Sequence, residues 1–287
     1  MGRQLDLWTN FAGDLSKPKI KSNRDFLERN WFVLGKKDVR TKIEHVWKDG
    51  HVRIATAGKS LATIFDNDIL LYLISNIRAR MDGGETGLLR GHTFSIYDYL
   101  LFTDPNLRGK KTRKNEETTK IQKRTSGEHY ARTWDALNRL ADPIIETNIR
   151  AGGMTYVNKF ALVPSIKKIE RNGKTVGIHV EISDWLAQRI SDDQNILTLF
   201  DENYFQIKSG LARWLYLWAR KSCGRQSIWK ERIESVWTKS ASAGTLKKFK
   251  QLLTPICKKG LLDEYNLKID GDFLVVTRTK TKLIRVR

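Results

Sequence analysis

Cysteine is scarce. Cys223 and Cys257 are the only two among 287 residues, and their spacing offers neither a disulfide framework nor a metal knuckle, so a reduced, cytoplasmic setting is expected. Histidine is nearly as rare. His45, His51, His92, His129 and His179 are scattered and form no His-x-His or His-Glu-x-x-His pair, which deprives a metal-dependent nicking enzyme of its usual ligands. No apolar run approaches 18 residues, which excludes a membrane-spanning helix, and no signal peptide is expected. The nucleophile pattern Gly-x-Ser-x-Gly is absent. Gly58-Lys59-Ser60 lies between a strand and a helix, as a phosphate loop would, but the glycine needed five residues earlier is Arg53. Catalysis and nucleotide binding are therefore disfavoured. No metal and no cofactor is expected.

Acid is the other shortage. Lys and Arg number 52 against 32 Asp and Glu, a formal net charge of +20, while 40% of residues are apolar and 10% aromatic. The chain can bury a core and still present a cationic surface to a polyanion. The excess is uneven: +3 over residues 1–106, +6 over 107–124, −2 over 125–202 and +13 over 203–287. One loop and the C-terminal part hold most of it, as a footprint on nucleic acid would require.

Read in order, residues 1–24 are polar and form a disordered tail with one apolar island, Gln4-Leu5-Asp6-Leu7-Trp8. That island is similar to the motif by which proteins dock on the bacterial sliding clamp; the plain alternative is a segment packed on its own domain. Residues 39–56 read as a hairpin about Asp49-Gly50. Residues 66–80 read as a helix capped by Asp66, with Ile69, Leu70, Leu73, Ile74 and Ile77 as its apolar stripe. A short helix covers 95–102. The stretch 105–125 is a basic loop bearing Lys110, Lys111 and Arg113. A third helix, 128–141, turns Tyr130, Trp134, Leu137 and Ala141 inward and Glu128, Arg132, Asp135 and Arg139 outward. Strands follow at 144–149, 158–170 and 174–183, with Asn172-Gly173 as a turn, then a short helix from Ser183. Helices at 208–223 and 228–239 precede the most informative stretch.

That stretch is 240–279. Ser242 or Thr245 can cap a helix, and Leu246, Phe249, Leu253 and Ile256 recur at helical spacing. The opposite face gathers Lys247, Gln251, Thr254 and Lys258, flanked by Lys248 and Lys250. Pro255 is expected to kink or end the helix near Gln251. Alternating Tyr265, Leu267 and Ile269, then Asp270-Gly271, then Leu274 and Val276, spell a hairpin. A helix with a basic, amide-bearing face followed by a hairpin suits a major groove and its flanking phosphates; a solvated surface helix is the plain alternative. The whole order, three helices and a hairpin given twice, implies an α+β chain with two tandem winged-helix domains, 25–195 and 196–287, after the tail 1–24. Strands that fail to alternate with helices disfavour a doubly wound sheet.

Several stretches carry a family resemblance. They are Ser60 through Tyr72, Glu146 through Gly153, Ile182-Ser183-Asp184-Trp185-Leu186, Ala219 through Gln226, Ser240 through Phe249 and Ile269-Asp270-Gly271-Asp272. In this order they resemble the replication initiator protein A family of bacterial plasmids, from about Asn30 to Thr279. The resemblance implies binding to repeats at an origin, help in opening it, recruitment of host replication proteins and repression of the chain's own gene. Two departures stand out. Thr133, followed by Trp134, replaces a leucine of the family's helix pattern, and the basic loop 107–125 is longer than the family's.

The expected partner is double-stranded DNA at origin repeats, with the sliding clamp and a second copy of the chain as further partners. Ser242, Thr245, Lys247, Lys248, Lys250, Gln251 and Lys258 are the expected groove residues. Lys268, Arg278 and Lys280 on the wing, Arg132 and Arg139 on the first unit, and Lys110, Lys111 and Arg113 in the loop are the expected backbone contacts. A transcriptional regulator of the same fold, without initiator activity, is the alternative.

Overall fold

The computed structural model describes residues 18–48, 50–104, 127–149, 157–199, 202–261 and 264–279, with the backbone alone at Lys174 and Glu202. Gln4, Leu5, Asp6, Leu7, Trp8, Lys110, Lys111, Arg113 and Lys280 lie outside the described residues.

The chain is ordered earlier than its polarity suggests. Lys21–Asn23 forms β1 and Arg24–Glu28 forms α1. Ile20 is buried, and the Asn23 side chain accepts from Asp25 N at 2.9 Å to start α1. The expected disordered tail of 1–24 is therefore corrected for 18–24: one apolar residue and a strand partner are enough to dock it.

A hairpin of β2 (Lys42–Trp47) and β3 (Gly50–Ala55) follows, and then α2 (Asn67–Asp82). All five residues of the expected apolar stripe of α2 are buried, and so are Leu71, Tyr72 and Ser75, so the helix is sunk into the core rather than laid upon it. Asp66 stands at its N-cap without a side-chain cap bond, contrary to expectation. Its carboxylate is already occupied, accepting from Thr63 N at 2.8 Å and from Arg139. Next come β4 (Gly91–Phe94) and α3 (Ile96–Thr103), which opens on a Ser95–Asp98 capping box.

Helix α4 spans Gly127–Ala141. Its buried residues are Thr133, Ala136, Leu137 and Leu140, while Tyr130, Trp134 and Ala141 are only half-buried. The inward face is thus rotated from the expected one. Thr133, where the family pattern has leucine, faces the core, and the bulk of Trp134 is displaced to the rim.

The expected strand 158–170 is two strands. β5 (Ile144–Thr147) and β6 (Asn158–Ala161) join the first hairpin in a sheet ordered β2-β3-β5-β6. Pro164, which cannot donate to a ladder, separates β6 from β7 (Ser165–Arg171). That strand pairs with β8 (Lys174–Glu181) in a second sheet ordered β4-β8-β7. The β7–β8 turn places Asn172 at φ 51° and Gly173 at φ 71°, as a tight two-residue hairpin requires. Then come α5 (Asp184–Ser191), capped by Ser183, and β9 (Ile196–Thr198), which pairs with β1.

The last third runs α6 (Gly210–Cys223), β10 (Ile228–Arg232), α7 (Ile233–Ser240), α8 (Leu246–Lys259), β11 (Tyr265–Asp270) and β12 (Phe273–Arg278). Its sheet is ordered β10-β12-β11. The expected helix at 228–239 begins only at Ile233. Trp229 and Ile233 lie at helical spacing, but Trp229 is strand-borne and opposite Val276. An open β12 edge competes for these residues and wins.

Both halves therefore share one plan. A helix, a strand, two helices and two strands build a sheet in which the third strand lies between the first and second. This is a winged-helix-like unit given twice, with β5–β6 inserted into the first copy. The two share one continuous core. Trp214, Leu215, Tyr216, Leu217 and Trp218 of α6 are all within 1% of full burial, each contributing about 1.5–3 kcal/mol on removal from water. At Gly210 an added Cβ would sit 1.9 Å from the carbonyl oxygen of Leu34, so α6 abuts the N-terminal segment at van der Waals contact.

Candidate nucleic-acid interface

Helix α8 is held by its apolar side. Phe249 and Leu253 are fully buried, and Leu246 and Ile256 pack against the core. Of the two expected caps, Thr245 does the work: its Oγ1 accepts from Lys248 N at 3.3 Å. Ser242 instead lies half-buried in the preceding turn, donating its backbone N–H to Ser240 Oγ at 3.0 Å. Pro255 does not end the helix, which runs on to Lys259. Pro255 and Gln251 are both exposed, so the carbonyl that loses its partner faces solvent and can be hydrated.

The exposed face presents Lys247, Lys248, Gln251, Thr254 and Lys258. Leu246, Lys247, Lys250, Gln251 and Thr254 line a shallow hollow on it. Among the described residues no carboxylate lies within 4.0 Å of Lys247, Lys248 or Lys258, and the first turn of α8 carries no acid. At the N-terminal end of α8 the helix dipole and Lys247 and Lys248 therefore add with the same sign toward an anion.

The wing is less uniformly positive than expected. Asp270 and Asp272 stand at its turn. Lys230 Nζ reaches Asp270 Oδ2 at 2.9 Å and Lys250 Nζ reaches Asp272 Oδ1 at 3.3 Å. The Lys230 hydrogen bond and charge hold the Asp270 carboxyl below the usual carboxylate range. Lys250 is thus a strut between α8 and the wing. Lys268 is exposed on β11. Arg278 is not at the wing tip: it pairs in register with Tyr265 at the base of the hairpin, and its Nη2 lies 4.0 Å from buried Glu264.

On α4, Arg139 is a structural residue rather than an outward one. Its Nε and Nη2 grip Asp66 at 2.9 and 2.8 Å. The Asp66 hydrogen bond holds the guanidinium even further above neutrality than usual. Arg132 is exposed and bonded to Glu128 one turn away. Lys168 of β7 covers the Trp134 ring, 4.4 Å from its centroid. The face of α4 is close to neutral and that of α8 is not.

Sequence reasoning missed the residues that hold the turn before α8. Asn30 Nδ2 donates to Ser240 O at 2.8 Å, Arg40 Nη2 donates to Ala241 O at 2.8 Å, and His45 Nε2 donates to Asn30 O at 2.8 Å. No local motif marks Asn30 or Arg40, because the partners Ser240 and Ala241 lie some 200 positions away in the chain. Among the described residues no group of three or more His, Cys, Asp or Glu side chains is placed to hold a metal, and no helix is long and apolar enough to cross a membrane.

The sequence profile of the family described as Replication initiator protein A matches residues 21–120 and 111–267. The chain belongs to the replication initiator protein A family. A protein of Wigglesworthia glossinidia brevipalpis whose name assigns it provisionally to replication is 29% identical over 273 residues, covering 94% of this chain and 92% of that one. Among solved structures, selenomethionine-labelled domains 2 and 3 of RctB align with a TM-score of 0.61 at 13% identity, covering 91% of this chain and 99% of that one. A second structure of RctB domains 2–3 aligns at 0.53 over 86% and 95%. At that identity the likeness to RctB is one of fold. The initiator-family match, by contrast, runs through both units and takes in all of α8.

Proposed function

We propose that this member of the initiator family is a non-enzymatic, sequence-specific DNA-binding protein that starts plasmid-type replication from repeats at an origin, in the cytoplasm. The observation that carries this reading is the exposed face of α8. Gln251 sits there among lysines that have no acidic partner, on the third helix of a winged-helix-like unit, in a chain of a replication-initiator family. Lys247, Lys248 and Lys258 neutralise phosphates, with Lys268 on the wing, and Gln251 reads a base edge, adenine being the best match to a side-chain amide. The functional division is placed at 195/196, with α8 as the main reader and Arg132 as a minor backbone contact. Recruitment of host replication proteins is assigned to the Gln4–Trp8 island, through the sliding clamp, and a second copy of the chain is a further partner on the repeats.

Footprinting of the purified chain on DNA flanking its own gene tests this, at about 150 mM salt with excess competitor, where purely electrostatic binding is weak. Spaced direct-repeat protection is expected. The nearly neutral face of α4 favours one alternative, a regulator that reads a single operator through α8 alone, and protection of one inverted repeat at the promoter would support that instead. Salt-sensitive coating without a footprint would contradict both.

A further inference from the structure

The turn that leads into α8 is fastened from outside its own unit. Besides the Asn30 contact with Ser240, Asn30 N donates to Lys239 O at 2.9 Å. Arg40, which reaches Ala241 O, is itself gripped by Asp38, with Nε 3.0 Å from Oδ1 and Nη2 2.7 Å from Oδ2. The backbone around it is pinned as well: Arg40 O accepts from Leu61 N and Thr41 O from Thr56 N, both at 3.0 Å, and Asp38 N donates to Gly35 O at 3.1 Å. Loop 35–41 is therefore set rigidly against the entry to α8.

A surface loop has no need of such anchoring for its own sake, since ordering it costs roughly 1–2 kcal/mol per residue. What the anchoring holds out is a short basic crest. Lys37 is exposed, with no carboxylate within 4.0 Å among the described residues, and Val39 beside it is 76% exposed. Lys36 is engaged over the Phe65 ring, 4.9 Å from its centroid, so Lys37 is the cation left to an outside anion. When a helix enters a major groove by its N-terminal end, whatever flanks the preceding turn faces the sugar-phosphate wall.

We propose that loop 35–41, which belongs to the first unit, is part of the DNA interface of the second. Lys37 neutralises a backbone phosphate beside the groove that α8 enters, and Arg40 is the positioning residue that keeps the loop there. This rests on α8 being the groove helix.

The test is a salt titration of DNA binding by the full chain and its Lys37→Ala, Arg40→Gln and double variants, on the footprinted site and on a scrambled duplex. Lys37→Ala should lower affinity several-fold on both duplexes and reduce the slope of log K against log salt by about 0.9. Arg40→Gln should lose as much while retaining Lys37, and the double variant should be no worse than either single one, because an untethered Lys37 contributes little. An unchanged slope for Lys37→Ala overturns the phosphate contact, and additive losses overturn the role of Arg40. If urea unfolding shows Arg40→Gln to be misfolded, Asp38→Asn loosens the same guanidinium and replaces it in the series. A wild-type chain without a footprint overturns the reading of α8 and this inference together. A footprint with the slope lowered by Lys247→Ala but not by Lys37→Ala overturns this inference alone.

Discussion

Arg213 and Asp68 meet inside the protein, where one guanidinium nitrogen, Nη1, donates to both carboxylate oxygens at 2.6 Å. The pair joins α6 to α2, and so ties the second winged-helix-like unit to the first. The rest of the guanidinium donates to the carbonyls of Ile207 and Phe205 at 2.7 and 2.6 Å. Each of the three guanidinium nitrogens thus has an acceptor, which is what lets a charge stay buried.

Removing one partner leaves the other charged and unpaired. Asp68→Ala should therefore lower the free energy of unfolding by about 3–5 kcal/mol, read as a shift of the urea midpoint. Asp82→Ala, which breaks the more exposed contacts with Lys21 and Arg78, should cost no more than about 1 kcal/mol. Equal losses from the two would mean that the buried pair does not hold the units together.

Acidification should weaken the fold through its buried histidines, against an opposing contribution from Asp68, whose carboxyl burial pushes up to about 6. His45 is 2% exposed, and burial pushes its pKa below the ordinary histidine value despite the bond to Asn30 O. His92 is pushed down to about 4 by burial and by the nearby Arg80 and His179. Both folded values lie below the unfolded one, so between them the unfolded chain binds protons that the folded chain refuses. This contribution to stability is complete above about pH 6.5 and is lost as the pH falls from there toward the folded values. The urea midpoint should drop between pH 7.5 and 5.5, and His45→Gln should flatten that drop. A midpoint constant over this range would contradict the assignment.

Arg139 and the α8 lysines should separate stability from binding. Arg139→Ala, which strips Asp66 of its two-pronged partner, should cost roughly 1–3 kcal/mol of stability and leave the salt dependence of DNA binding unchanged. Lys247→Ala and Lys258→Ala should do the reverse, leaving the urea midpoint in place and each lowering the salt slope by about one ion. Calorimetry and salt titration on the same preparations check both halves.

Strongly periodic helices were legible in the sequence. The α2 stripe and the apolar side of α8 both face the core as spacing predicts. What was illegible depended on partners distant in the chain. Trp229 reads as helical until the open edge of β12 is known, and Arg139 reads as an outward cation until Asp66 is placed beside it. The Pro255 prediction failed because a missing hydrogen bond costs little where solvent reaches the carbonyl. In the candidate site, the charged face of α8 could be read from its periodicity. The bracing of its entry by Asn30 and Arg40 could not, since neither residue carries a local signal.

If the outer face of α8 reads sequence, the decisive comparison is the affinity of the full chain and of Gln251→Ala for a set of duplexes carrying each single-base change across the protected repeat. Gln251→Ala should lose about 1–3 kcal/mol of discrimination at one base position while preferences elsewhere in the repeat stay as they were. An unaltered base preference at every position would contradict it.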